Sequence, residues 1–360
     1  MSAFLMRRGV HGGNYRDWVP GCNGSELGAP CEVRMVDTKE WALPPQLRPK
    51  PETLAFELDS RLNSMVLVHA DVPEDAFTAS VLGTQRVGNG VIITHEGRQV
   101  VLTIGYLITE AQGIWLTAAG GQVVPGHALA YDQVTGFGLV MPLGALNAPS
   151  LALGSSATLN PGDELTVIGF GGSEHALATR LIARREFAGY WEYLLDEALF
   201  TAPAYPLWGG SALLDAAGHV AGIGSLLIQE TIDGERFDVN LFVPVELLRP
   251  ILEPLVSFGR VNRAPRPWLG LYTGEQQGNL LVGGVMPQGP AHRAGVVPDD
   301  QILEVAGDEV TSLAEFYRAI WSRGDAGVEV PLTIQRGEDT LHLILHSTSR
   351  ELMLKQPQRH

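Results

Sequence analysis

The chain has 360 residues, of which 45% are hydrophobic and 18% are charged, and its formal net charge at pH 7 is −15. This length predicts two or more domains, and this composition supplies a large core and excludes a chain that is disordered throughout. A strongly acidic protein is a poor partner for nucleic acid and for anionic membrane surfaces, because both attract basic residues. No run of about 18 apolar residues occurs, so we predict no membrane span.

Residues 1–55 are rich in glycine, proline and polar residues, which predicts an irregular N-terminal extension. A basic pair follows a short apolar run near Met1 and no longer apolar segment comes after it, which is not typical of a signal peptide. If Met1 is the native start, we expect a cytoplasmic protein. The two cysteines, Cys22 and Cys31, either close a small disulfide loop or stay free, and a reducing compartment favours free thiols. We predict no metal and no cofactor.

Residues 56–258 alternate short apolar runs with turn residues, as at residues 65–69, 91–94 and 165–169. Such spacing is typical of a β-barrel or a β-sandwich. A helix is predicted over residues 245–258. Residues 259–267 contain two prolines and three arginines and are predicted to form a linker.

Three motifs follow the linker, at residues 268–271, 289–296 and 300–310. A helix is predicted from Ser312 to Ser322, because its apolar residues recur on one face. These motifs resemble a PDZ domain of the type found in HtrA proteases. We place this domain at residues 268–350, followed by a polar tail over residues 351–360.

The central region resembles the trypsin-like serine proteases of the HtrA family. Residues 88–93 are similar to a strand of the first barrel, and residues 102–108 and 131–140 are similar to the runs that carry the catalytic histidine and aspartate. Residues 205–215 resemble the loop of the catalytic serine. The resemblance implies a mainly β fold, in which a trypsin-like double β-barrel is followed by the PDZ domain.

Aligned without gaps, the positions of the catalytic histidine, aspartate and serine hold Tyr106, Gly136 and Gly209. A serine hydroxyl needs an imidazole to take its proton and a carboxylate to orient that imidazole. Glycine has no side chain, and tyrosine, with a pKa of about 10, is a poor base near neutral pH. We therefore predict a pseudoprotease with no catalytic residues, which is not an enzyme.

One alternative keeps hydrolysis through another residue. Ser211 lies two positions after Gly209, and His95 occupies a turn of the first barrel. Using Ser211 as the nucleophile would move the strand that starts at Leu213 out of register with the family. An unconventional serine hydrolase or peptidase is therefore the alternative to a protein that only binds.

The resemblance assigns peptide binding to Trp268, Leu269, Gly270 and Leu271, which stand at the carboxylate-binding loop of a PDZ domain. Such a domain adds an extended peptide to a sheet edge and holds the terminal carboxylate with backbone N–H groups. Gly270 is expected to need a positive φ. The loop either binds a free peptide or is covered by another domain or subunit.

These observations predict a scaffold, regulatory or structural subunit that binds protein or peptide partners. One form of this prediction is a subunit of a larger enzyme complex, and a further alternative is a stand-alone PDZ adaptor. The family resemblance implies a trimer as the homo-oligomer. The aromatic run at residues 187–195 either contacts a partner or packs against the barrel or a subunit interface.

Overall fold

The structure is a computed structural model that describes residues 42–232 and 235–355. The predictions for Cys22 and Cys31, for most of the N-terminal extension and for the last residues of the tail concern segments outside the described residues. Among the described residues, no helix combines the length and the apolar character that crossing a membrane requires. The domain boundaries given above stay predictions.

The first barrel closes from six antiparallel strands in the order β1-β2-β3-β6-β5-β4. Alternating side chains of β1 point inward, so that Val66, Val68 and Ala70 are fully buried. Two short helices accompany this barrel. The elements are α1 (Leu58–Leu62), β1 (Met65–Asp71), α2 (Ala79–Leu82), β2 (Gln85–His95), β3 (Arg98–Ile104), β4 (Gly113–Ala118), β5 (Val123–Tyr131) and β6 (Phe137–Pro142).

The second barrel has the strand order β10-β11-β12-β9-β8-β7. Its strands are β7 (Glu164–Ile168), β8 (Ala176–Gly189), β9 (Tyr193–Ala202), β10 (Ala212–Leu214), β11 (Val220–Ile232) and β12 (Glu235–Pro244). The helix predicted over residues 245–258 is shorter in the structure, with one 3-10 turn at Val245–Leu247 and then α3 (Leu252–Phe258). Pro250 lies between the two and cannot donate the hydrogen bond that a continuous helix requires.

The PDZ domain is a sheet in the order β13-β14-β15-β17-β18, with β16 paired to β15. Ser312 caps the predicted helix by accepting a hydrogen bond from the backbone of Glu315, so the helix begins one residue later than predicted. The elements are β13 (Leu271–Gln276), β14 (Asn279–Val285), α4 (Pro290–Arg293), β15 (Gln301–Val305), β16 (Asp308–Glu309), α5 (Leu313–Trp321), β17 (Glu329–Arg336) and β18 (Asp339–His346). The mainly β fold, a double barrel followed by a PDZ domain, is confirmed.

The PDZ domain packs directly on both barrels. Leu194 of the second barrel is buried within the hydrophobic core of the PDZ domain. The ring of Trp268 meets the ring of Phe77, from the first barrel, edge to face at 5.9 Å. Arg318 of α5 forms ion pairs with Glu186 and Asp196 at 2.5 Å each. The hairpin formed by β8 and β9 is therefore the part of the second barrel that reaches the PDZ domain.

Candidate functional site

The cleft between the barrels brings two of the predicted catalytic positions together. Tyr106 lies on a 3-10 turn that follows β3, and Gly209 lies on the loop that precedes β10. A Cβ atom placed on Gly209 would stand 2.9 Å from the hydroxyl of Tyr106. That hydroxyl donates a hydrogen bond of 2.9 Å to the carbonyl of Ser225. The two positions therefore lie side by side, one with a phenol and the other with a bare backbone.

The third position, Gly136, lies beside the first. Its carbonyl accepts a hydrogen bond of 2.7 Å from the backbone of Gly105, the residue before Tyr106. The space for a side chain here is taken by Tyr193 of β9, whose hydroxyl would stand 2.9 Å from a Cβ on Gly136. The same hydroxyl donates a hydrogen bond of 2.7 Å to the carbonyl of Thr135. No local sequence pattern indicates this role of Tyr193, because only the folded hairpin brings it here.

Buried Asn89 of β2 ties the Gly209 loop to the first barrel. Its amide nitrogen donates to the carbonyl of Leu207 at 2.7 Å, and its backbone N–H donates to the carbonyl of Gly209 at 2.7 Å. Gly210 has a φ of +74°, and a Cβ there would lie 1.9 Å from the carbonyl oxygen of Asn89. The loop therefore depends on a close backbone approach that only glycine allows.

The amides of this loop serve its own conformation. Gly210 donates its N–H to the carbonyl of Gly224 at 2.9 Å, and Ser211 donates its N–H to the carbonyl of Trp208 at 3.0 Å. The buried hydroxyl of Ser211 donates to the same Trp208 carbonyl at 2.8 Å. His95 instead contacts Glu253 at 2.5 Å. The structure thus gives Ser211 and His95, the pair weighed for an alternative hydrolase, different partners.

A candidate cation cluster lies where the turn after β2 meets α3. In the described part of the chain, one set of side chains, His95, Glu96 and Glu253, brings its ligand atoms within 4.8 Å of one another. Both glutamates are exposed to solvent. The hydrogen bond between His95 and Glu253 explains why these side chains lie together at the surface.

The carboxylate-binding loop (residues 268–271) presents three consecutive N–H groups to one carboxylate. That carboxylate belongs to Glu192, in the turn between β8 and β9. It accepts hydrogen bonds from Leu269 at 3.0 Å, from Gly270 at 2.8 Å and from Leu271 at 3.0 Å. Gly270 has the positive φ that the sequence predicted, at +76°. No local sequence pattern indicates Glu192 as the partner of this loop.

Burial and hydrogen bonding have opposite effects on the pKa of Glu192. Burial raises the pKa of Glu192 to about 7, against the lowering effect of the three backbone amides and of the nearby Arg350 guanidinium. Within the described residues, the Nε atom of Arg350 is buried without a hydrogen-bond partner. The loop is therefore an anion site formed by backbone dipoles, with one cation close by.

Two family profiles match the chain. The profile of the trypsin-like peptidase domain matches residues 88–223, and that of the PDZ domain matches residues 267–346. Protease Do-like 1, chloroplastic, of Arabidopsis thaliana is 29% identical over 296 residues, which cover 74% of this chain and 65% of that protein. The putative serine protease HhoB of Synechocystis is 24% identical over 71% of this chain and 64% of its own length. The chain thus spans just under two thirds of the length of these two relatives.

The serine endoprotease DegS of Haemophilus influenzae is 24% identical, with 66% of this chain and 70% of that protein covered. The names of these relatives contradict the prediction that the chain is not an enzyme, because each is a named protease. The physical reason for the correction is that Tyr106, Gly136 and Gly209 exclude only a reaction that runs through those three positions. These matches show a trypsin-like peptidase domain followed by a PDZ domain, and they support the resemblance to HtrA-type proteases.

Proposed function

We propose that this protein binds protein partners by their free C-termini, and acts as a scaffold, regulatory or structural subunit of the assemblies it joins. The observation that carries this proposal is the convergence of the N–H groups of Leu269, Gly270 and Leu271 on a single carboxylate. A peptide terminus offers the same group. The peptide-binding role of Trp268 and its three neighbours stays a prediction.

The geometry around the loop supports strand addition. β13 is an edge strand of its sheet, and its outer edge faces away from β14. On this edge, the N–H of Thr273 donates a hydrogen bond of 2.9 Å to a carbonyl outside the sheet, that of Tyr190. A peptide lying along β13 would gain such backbone bonds, while the loop holds its terminal carboxylate.

The proposal is tested by binding of decapeptide pools to the full chain. One pool has free C-termini and the other has the same sequences with amidated C-termini. Binding of the first pool alone supports the proposal, and equal binding of both, or of neither, contradicts it. Gly270→Glu should abolish binding, because it fills the loop and adds a negative charge. Gly278→Glu is the matched control, because Gly278 has an open turn position with nothing within 4 Å of an added Cβ.

The partners and the assembly need a separate experiment. We propose that the subunit works within a larger complex, and the trimer and the cytoplasmic location stay predictions. Affinity purification from the native source, followed by mass spectrometry and light scattering, would identify partners and the oligomer. Recovery of a monomer without partners at physiological concentration would contradict the role as a subunit.

Serine-type peptide hydrolysis is the second candidate function, favoured by the names of the relatives. Ser211 is the residue to test, although its hydroxyl now donates to the carbonyl of Trp208. Turnover of a fluorogenic peptide that is lost in Ser211→Ala and kept in Ser80→Ala, at an exposed position, would support hydrolysis through Ser211. Absence of turnover in the unaltered protein would remove this candidate.

A further inference from the structure

We propose that the turn at residues 189–192 is an internal ligand of the PDZ groove, which a partner with a free C-terminal carboxylate has to displace. We call these residues the docked turn. This inference rests on the proposed function, since it names what regulates the same site. The ligand that fills the groove therefore comes from the second barrel of the same chain.

The first argument is chemical. The carboxylate of Glu192 accepts three backbone N–H hydrogen bonds from consecutive residues of the carboxylate-binding loop, at 2.8–3.0 Å. A chain terminus carries the same planar anion, with the same two oxygen acceptors. The loop has one such set of donors, so an entering terminus and Glu192 cannot both be bound there.

The second argument is that the docked turn contacts both walls of the groove. The carbonyl of Tyr190 accepts a hydrogen bond of 2.9 Å from the N–H of Thr273, on the outer edge of β13. The carbonyl of Gly189 accepts one of 2.7 Å from the hydroxyl of Tyr317, on α5. The N–H of Glu192 in turn donates to that hydroxyl at 3.2 Å. The turn thus uses backbone donors and acceptors that an added peptide strand would need.

Docking also buries a carboxylate. Glu192 is the last residue of the three-residue loop between the paired Gly189 and Tyr193, and its φ of +60° is the usual geometry of such a loop. Its carboxylate is removed from water, and burial raises its pKa to about 7. The charged or titratable groups that face it are Arg350, Tyr272 and Tyr317. The cost of burying the carboxylate is relieved when the turn leaves, which favours exchange for an external ligand.

A cation is already in place for the incoming group. Arg350 lines a small cavity beside the loop, together with Trp268, Gly270 and Tyr272. Within the described residues, its Nε atom is buried and makes no hydrogen bond. An extended peptide terminus entering along β13 would bring its carboxylate to the loop and to this guanidinium.

The experiment compares three full-length proteins: the unaltered chain, Glu192→Ala and Glu197→Ala. Glu197 is an exposed residue of β9 that pairs with Arg184 of its own barrel, so its substitution is the matched control. The probes are the decapeptide pools with free and amidated C-termini. We expect the free-carboxylate pool to bind Glu192→Ala at least about tenfold more tightly than the other two proteins, since removing a competing internal ligand raises the binding-competent fraction. The amidated pool should bind none of them.

The outcomes separate the two proposals. Equal binding of the free-carboxylate pool to all three proteins overturns the internal ligand and leaves the proposed function standing. No binding to any of them overturns both.

A second measurement tests the inference if the Glu192→Ala protein folds poorly. In Glu192→Gln, which keeps the shape of the side chain, the amide proton resonances of Leu269, Gly270 and Leu271 should move upfield as the charged acceptor is lost. Unchanged resonances overturn the inference.

Discussion

The interbarrel cleft and the carboxylate-binding loop are both built on glycine-containing turns, yet they use their backbone donors in opposite ways. In the cleft, the N–H of Gly210 binds the carbonyl of Gly224 in β11, and the N–H of Ser211 binds the carbonyl of Trp208 in the same loop. In the PDZ domain, three N–H groups point at a carboxylate that comes from another domain. The comparison teaches that a site made of backbone donors depends on conformation more than on side-chain identity.

The two regions are joined by adjacent residues of one hairpin. Glu192 reaches the PDZ loop, while Tyr193 fills the space beside Gly136 in the first barrel. The ring of Trp191 stacks on that of Tyr193 at 5.7 Å, which stiffens the end of the hairpin. The aromatic run at residues 187–195 therefore packs between domains, which corresponds to the packing alternative in the sequence analysis, with the PDZ domain as an additional neighbour.

The largest effect is expected in the cleft, at Gly210. A Cβ in Gly210→Ala would lie 1.9 Å from the carbonyl oxygen of Asn89, at a φ of +74°. The loop cannot keep its conformation, and we expect a loss of more than about 4 kcal/mol in the free energy of unfolding. Urea denaturation measures this loss. Gly121→Ala is the control, because its φ is +82° with nothing within 4 Å, and it should cost only about 1 kcal/mol. Equal losses would show that the close approach to Asn89 is unimportant.

A smaller loss is expected where Arg86 supports the turn of Tyr106. This buried guanidinium donates to the carbonyls of Tyr106 and Thr109 at 2.8 and 2.9 Å, and burial lowers its pKa to about 10. Arg86→Met removes the hydrogen-bond donor of these two carbonyls and the positive charge near the Glu110 carboxylate. We therefore expect a loss of about 3 kcal/mol in the free energy of unfolding. Arg180→Met, at an exposed ion pair, should cost less than about 1 kcal/mol in the same denaturation experiment. A loss from Arg86→Met as small as that control would contradict a supporting role.

The family resemblance implied the double barrel and the PDZ domain, whereas the alternating pattern alone predicted only a β-barrel or a β-sandwich. Alternating apolar residues and turn glycines act over a few positions, and the three runs named above fall on β1, β2 and β7. The position of the Gly209 loop came from the family alignment, and the structure brings Gly209 next to Tyr106.

Contacts between domains could not be predicted this way. Glu192 is 77–79 residues before the amides that it accepts from, and Tyr193 is 58 residues after Thr135. A glutamate within an aromatic run has many possible partners, and no local periodicity selects one. The prediction that the chain is not an enzyme was wrong because it rested on three positions. Those three positions do not exclude catalysis by residues elsewhere in the chain.

The pH dependence of stability is expected to reveal the docked turn. Burial raises the pKa of Glu192 to about 7 from its ordinary value of 4.5, so protonation favours the docked state. The stabilisation from this group is fully present below pH 4.5 and is lost as the pH rises through about 7. Denaturation midpoints of the unaltered chain, measured from pH 5 to 8, should fall relative to those of Glu192→Gln, which does not titrate. Parallel curves would mean that Glu192 is not buried against the loop.

The smallest effect is expected at Tyr106, and it measures how much of the cleft depends on a side chain. Tyr106→Phe removes a hydroxyl that donates to the carbonyl of Ser225 at 2.9 Å and keeps the ring. A single neutral hydrogen bond of this kind contributes about 1 kcal/mol to the free energy of unfolding. Tyr190→Phe is the control, because Tyr190 is 51% exposed and should lose almost nothing. A loss well above that of one hydrogen bond would mean that this phenol organises the cleft. The cleft would then depend on a side chain, whereas the PDZ loop depends on its backbone.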